Sequence, residues 1–364
     1  MNTIDNVFLT LVRLGIGTSR NAKISDDVDW IALKALADVQ GLTAVVLDGL
    51  NEVRGKKEDV KSKNLPSQQF ILQWIGEVMS NYEQRYAQYE KAISSLAGFY
   101  NLHGYKMMLL KGYACSLDWP KPNHRPCGDI DIWQFGKYKK ADALLSSVKG
   151  IEIDNSHHHH TVFYWNDFMV ENHYDFLDTS TRKSSREQEA NLKELGTNDT
   201  FYISLNGEKV YLPSPNLHAF FLIRHMVDHF TSVSITLRQL LDWAFFVEKH
   251  SNEISWDWLT GMLEKYQLKD FTYCLNAICV ENLGFESGIF HGFLFRPLLK
   301  EKILNDILNP KFEATEPSCI LSRLIYKYRR WQGNAWKQKL CYPESRFLSF
   351  FTILKSHLQK PSSI

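Results

Sequence analysis

The sequence predicts an α+β protein, in which a small mixed sheet lies between an N-terminal and a C-terminal helical region. Three observations carry this expectation. Apolar residues recur at helical spacing through most of residues 4–102 and again after residue 214. Between those regions, strand-length apolar runs alternate with turns and one amphipathic stretch, the pattern of an α/β unit. Within that middle part, residues 105–135 join a strand, a glycine turn, a proline-rich loop and an Asp-x-Asp strand. The expected division is 1–103 helical, 104–213 the α/β core and 214–364 helical.

Residues 4–20 and 28–50 read as helices. In the second, Trp30, Leu33, Leu36, Ala37 and Val39 form an apolar stripe, Asp26, Asp27 and Asp29 offer capping oxygens, and Gly41 interrupts it before Thr43 resumes. The lysine-rich run 54–64 reads as a solvated loop or helix edge. From Ser67 to Leu102 a long helix runs without proline. Its stripe is Phe70, Ile71, Trp74, Ile75, Val78 and Met79, continued by Tyr89, Ile93, Leu96 and Tyr100. His103-Gly104 closes it.

Met107–Leu110 is long enough for a buried strand and too short for a helix. Lys111-Gly112 ends it, and Tyr113-Ala-Cys-Ser-Leu has helix spacing. A strand that turns at a glycine into a helix sets backbone N–H groups where a phosphate can lie. Pro120, Pro122 and Pro126 then impose a rigid, non-helical loop bearing His124 and Arg125. Gly128-Asp-Ile-Asp-Ile-Trp follows. The side-chain period of a strand is two, so Asp129 and Asp131 face one side while Ile130 and Ile132 face the other. Two such carboxylates at roughly 4 Å repel by about 4 kcal/mol at an effective dielectric near 20. The fold must therefore supply a cation or protonate one of them. Mg²⁺ suits the position, being held by one or two carboxylates together with substrate phosphates.

Downstream, Gly136 precedes a short amphipathic helix over Lys137–Val148. Four consecutive histidines, His157 to His160, lead into an apolar run. On a strand only alternate members, His157 with His159 or His158 with His160, share a face and hence a metal; one or two histidines facing the site is the expected arrangement. A turn at Trp165-Asn-Asp leads to a strand on which Met169, Glu171 and His173 share one face. Residues 180–196 read as a solvated helix and loop. Phe201–Leu205 and Lys209–Leu212 flank Asn206-Gly207, a type I′ hairpin signal. Pro213-Ser-Pro-Asn opens the helical second half, with His225 and His229 on one helix face as a hydrogen-bonded pair and Arg238 and Asp242 expected to pair on a surface. Further helices are read at 234–250, 255–267 and 270–283. Arg323, Lys327, Arg329, Arg330, Trp331, Lys337 and Lys339 form an expected solvated face.

The charge of +1, with 44% hydrophobic and 23% charged residues, is ordinary for a globular chain and lacks the basic excess of a dedicated nucleic-acid binder. Neither a P-loop nor a G-x-G-x-x-G motif occurs. The N-terminus has no secretory pattern, no uncharged apolar run reaches the roughly 18 residues of a membrane span, and the six cysteines form no Cys-x-x-Cys pair. A cytoplasmic protein with reduced thiols is expected.

The Leu110-Lys111-Gly112, Arg125-Pro126 and Asp129-Ile-Asp-Ile run resembles the signature of the polymerase-β superfamily of nucleotidyltransferases, and most resembles its bacterial uncharacterised nucleotidyltransferase family. The usual Gly-Ser or Gly-Gly turn reads Lys111-Gly112 here, and the Pro-rich loop lengthens the gap to Asp129. The resemblance implies a nucleotidyltransferase core on a mixed sheet. It also implies that Asp129, Asp131 and Glu171 hold Mg²⁺ or Mn²⁺, with Asp175 the rival to Glu171. Lys111 and Gly112 would hold the β- and γ-phosphates of an NTP such as ATP, and Arg125 the departing pyrophosphate. His173 would sit beside the nucleotide, and His158 or His160 would contact nucleotide or acceptor. The acceptor, whether small molecule, sugar, protein or tRNA, stays open. So do a catalytically inactive nucleotide-binding scaffold and a toxin-type enzyme as alternatives.

Overall fold

Six short strands form one mixed sheet, and helices cover both of its faces. The computed structural model describes residues 3–21, 24, 27–55, 65–180, 182–198, 200–293, 296–312, 317 and 319–345. Asp26 and nearly all of the lysine run at 54–64 lie outside them. The chain opens with α1 (Thr3–Gly15), α2 (Trp30–Val39) and α3 (Thr43–Gly55). The first helix stops five residues before its expected end at residue 20, because Gly17 adopts φ +81°. Asp29 caps α2 by accepting from the backbone of Ile31 and Ala32. Helices α1 and α3 cross at van der Waals contact of their backbones: a Cβ at Gly49 would stand 2.0 Å from the carbonyl of Leu11, and one at Gly15 2.0 Å from that of Val45. The long helix is α4 (Gln68–Val78), a π-helical turn (Met79–Gln84) and α5 (Arg85–Leu102).

The sheet comprises β1 (Met108–Leu109), then, after α6 (Tyr113–Ser116), β2 (Ile130–Trp133); after α7 (Tyr138–Lys149), β3 (His160–Trp165) and β4 (Phe168–His173); after α8 (Lys183–Asn198), β5 (Thr200–Leu205) and β6 (Glu208–Pro213). Their order is β3-β4-β2-β1-β6-β5. The β2–β4 and β1–β6 pairs are parallel and the others antiparallel. Both hairpins turn on two residues with positive φ, Asn166-Asp167 and Asn206-Gly207, as type I′ geometry requires. The Pro-rich loop contains a single 3₁₀ turn at Pro122–His124. It is admitted because proline tolerates the first position of a helical turn.

One face of the sheet, with Met107, Leu109, Ile130, Ile132 and Val170, packs on α5 and α7. Asp142 of α7 fastens that layer by accepting from Thr161 and Asn172. The opposite face, with Met108, Leu110 and Trp133, joins the larger core built with the C-terminal helices. These are α9 (Pro215–Ser232), α10 (Leu237–His250), α11 (Trp256–Lys265), α12 (Lys269–Glu281), α13 (Pro297–Leu308), α14 (Ile320–Gly333) and α15 (Ala335–Cys341). Ser214 caps α9, and Thr236 with Gln239 forms a capping box on α10.

Three expectations change. Helix α8 is not merely solvated: Glu189 is buried and accepts from the backbone N–H groups of Phe176 and Leu177. Lys337 is buried and donates to the carbonyl of Val233 and to Asp306, so it leaves the expected solvated basic face. Arg238 and Asp242 do not pair on a surface, because Asp242 is buried and bonded elsewhere. Cys115, Cys127, Cys274, Cys279 and Cys341 are free thiols, and no helix among the described residues is long and apolar enough to cross a membrane.

Candidate active site

The carboxylates meet because β2 and β4 run parallel in a register that sets Asp131 opposite Glu171. Asp129 lies two residues before Asp131, on the same side of the sheet and away from α5 and α7. Behind it, Gly112 (φ +59°) lets β1 turn tightly: a Cβ there would approach the Tyr89 hydroxyl to 2.8 Å, and that hydroxyl donates to the Asp129 carbonyl at 2.6 Å.

Asp131 is 1% exposed and is compensated from two directions. Lys111 Nζ lies 2.9 Å and His173 Nε2 3.1 Å from its Oδ1. The same His173 nitrogen is 3.4 Å from Glu171 Oε2. Burial works against the charged forms of Lys111 and His173, but their bonds and attraction to Asp131, Glu171 and Asp129 outweigh it, so both pKa values rise. Burial likewise raises Glu171, yet the His173 hydrogen bond and the Lys111 charge bring its carboxyl well below the usual range. Asp129 differs. It has no ion-pair partner among the described residues; burial first, and repulsion from Asp131 second, push its pKa up to about 6. The rival carboxylate, Asp175, is paired with Lys193 and stands apart from this group.

The histidines depart from the alternation expected on a strand. The strand begins only at His160, so His159 and His160, adjacent in sequence, both turn toward His173. His225 and His229 pack edge-on at 4.5 Å between ring centroids rather than hydrogen-bonding. Burial keeps both below the ordinary imidazole value.

These groups border a cleft of two adjoining lobes, of about 460 and 570 Å³, which share Lys111, Asp129, His225 and His229. The first is lined by Gly112, Arg125 and Arg238. The second is lined by His158, His159, His160, Glu171 and His173. Arg125 lies in the cleft wall but is committed: its guanidinium makes two bonds to Asp242 (2.7 and 2.9 Å) and one to the Pro126 carbonyl. Arg238, one turn before Asp242 on α10, makes no side-chain hydrogen bond or ion pair among the described residues. Burial and the nearby Arg125 charge lower its pKa.

The oxygen donors of Asp129 and Asp131 fit a hard divalent cation, since Asp129 is a desolvated carboxylate with no counter-charge of its own. Asp131, Glu171 and His173 also present ligand atoms within 4.8 Å of one another. The model of the uncharacterised nucleotidyltransferase family matches residues 26–284. The chain belongs to that family. A solved structure, that of an antigenic nucleotidyltransferase-like protein from Paracoccidioides brasiliensis, is similar at 17% identity and a TM-score of 0.32, over 44% of this chain and 75% of that one. No curated protein matches.

In this member of the family, Lys111, Gly112, Arg125, Asp129, Asp131, Glu171 and His173 all border the cleft, and the rival carboxylate Asp175 does not. The structure also brings to the cleft Arg238, His225 and His229, read from the sequence in other settings, and His159. The i,i+4 spacing of His225 and His229 signals a shared face. Nothing in the sequence marks Arg238, because its apparent partner Asp242 is claimed by a residue 117 positions away.

Proposed function

We propose that the protein transfers a nucleoside monophosphate from an NTP to an acceptor, releasing pyrophosphate. What supports this reading above all is the convergence of Asp129, Asp131 and Glu171 where two lobes meet. Mg²⁺ or Mn²⁺, held by Asp129, Asp131 and Glu171, would neutralise the triphosphate and lower the pKa of the acceptor hydroxyl. The chain's own groups divide the rest. The first lobe, with Gly112, Lys111 and the uncommitted Arg238, takes the triphosphate, and Arg238 meets the charge that develops on the leaving pyrophosphate. Arg125 holds the wall in place through Asp242 and has two N–H groups left to donate. The second lobe takes the acceptor, and the imidazoles of His159 and His160, kept neutral by burial, offer hydrogen bonds to a hydroxyl.

Pyrophosphate release with each NTP and Mg²⁺, on wild type and on Asp129→Asn and Arg238→Ala, tests this. Asp129→Asn is expected to lose turnover and yet to gain about 1–2 kcal/mol of stability at pH 7, because it removes a desolvated, repelled charge. Arg238→Ala is expected to raise KM for NTP at least about tenfold. Undiminished turnover in Asp129→Asn would end the proposal. A second reading, nucleotide binding without turnover, is favoured by one observation: Lys111 and His173 already neutralise Asp131 and Glu171. Nucleotide-dependent thermal stabilisation with no pyrophosphate from any acceptor pool would establish it.

A further inference from the structure

The acceptor side of the cleft is rich in nitrogen rather than oxygen. His159, His160 and His173 each offer a ring nitrogen, and these three atoms lie within 4.8 Å of one another. Their ring centroids are 4.4 Å (His159–His160), 5.2 Å (His160–His173) and 5.6 Å (His159–His173) apart. Glu171 reaches into the same group: Oε1 is 3.7 Å from His160 Nε2 and Oε2 is 3.4 Å from His173 Nε2. The other nitrogen of His160, Nδ1, is buried with no hydrogen-bond partner.

The backbone holds these side chains in place. His160 is the register partner of His173 across the β3–β4 pair. The carbonyl of His159 accepts from the N–H groups of both Tyr174 and Asp175, at 3.0 and 3.1 Å. His157 stacks on His160 with centroids 4.6 Å apart.

We propose that His159, His160 and His173 form a binding site for a transition-metal ion of the zinc type, next to the oxygen site at Asp129 and Asp131, with Glu171 shared between the two as the fourth donor. Imidazole nitrogen suits Zn²⁺, Co²⁺ or Ni²⁺ and is a poor substitute for oxygen around Mg²⁺. Tetrahedral zinc with bonds near 2.0–2.1 Å separates its donors by about 3.3 Å. The two Glu171–histidine distances already approach that, and the remaining gaps close by small side-chain rotations. To ligate through Nε2, His173 gives up to solvent the proton it shares with Asp131 and Glu171, which frees Asp131 for the oxygen site beside Lys111. The site deepens the proposed reaction, since it sets a Lewis acid beside the lobe assigned to the acceptor. It is also readable without nucleotide or turnover.

The test is Co²⁺ titration of the full chain, freed of metal and carrying no histidine tag, followed by visible absorption. Wild type is expected to bind one equivalent with the intense d–d bands of a four-coordinate, nitrogen-rich site, and Zn²⁺ is expected to bleach them. His159→Ala and, separately, His160→Gln are expected to lose the bands while keeping the wild-type far-ultraviolet circular dichroism. Asp129→Asn is expected to keep them. Weak six-coordinate spectra, no binding, bands that survive both histidine substitutions, or bands lost in Asp129→Asn would each overturn the assignment. None of these results bears on Mg²⁺-dependent pyrophosphate release, so the two proposals fail separately.

Discussion

Asp129 and Asp131 stand two residues apart on one sheet face and meet different fates. Lys111 and His173 compensate Asp131, whereas at Asp129 desolvation and repulsion from Asp131 outweigh the attraction of Lys111. Their shared face is legible in the sequence, because period two is a property of any strand. Their unequal compensation is not, since His173 arrives from another strand. A second buried group has a measurable consequence. His218 lies against Cys115 Sγ at 3.7 Å and the ring of Phe246, and burial lowers its pKa to about 4. Between pH 6.5 and about 4 the unfolded chain takes up a proton that the folded His218 refuses, so stability falls as pH falls through that window and flattens below it. The contribution is about 3 kcal/mol. Denaturant unfolding from pH 7 to 4 is expected to show a shallower acid loss in His218→Gln than in wild type; equal slopes would assign the loss to other groups.

At the scale of elements, legibility followed local chemistry. The I′ hairpin at Asn206-Gly207, the Asp29 cap and the break at Gly41 announce themselves through residue types that few other conformations use. The start of β3 does not: a run of four histidines has no polarity change to mark where the strand begins, and alternation read from His157 starts three residues before the strand does. Helix α8 reads as solvated because its buried residues are polar, and only the loop at Phe176-Leu177 shows why Glu189 turns inward. The crossing of α1 and α3 rests on glycines at the contact. Gly49→Ala is expected to push the helices apart and to cost about 1–3 kcal/mol in denaturant unfolding, while Gly55→Ala, with open space around it, changes little. Equal effects at the two positions would contradict the close packing.

The molecule as a whole is tied across the cleft by Asp242, which accepts from Trp119 and twice from Arg125. An α+β class and the order of its parts were legible from hydrophobic periodicity. Which helices roof the sheet was not, because long-range ion pairs leave no periodic trace. Removing one member of this buried pair leaves the other uncompensated, so Asp242→Asn is expected to cost about 3–5 kcal/mol, and the paired change Arg125→Met/Asp242→Leu distinctly less. A double variant as unstable as the single one would show that the bond acts through something other than charge.

The same bond has a bearing on how the chain comes into being. Asp242 follows Arg125 by 117 residues. At the usual pace of synthesis, about 5–20 residues per second, the proline loop waits on the order of ten seconds for its partner to emerge. Asp48, which holds His124 in the folded chain, has by contrast already been made when the loop appears. The floor of the cleft is thus moored early on the N-terminal side, and its roof closes only once the ribosome has delivered α10.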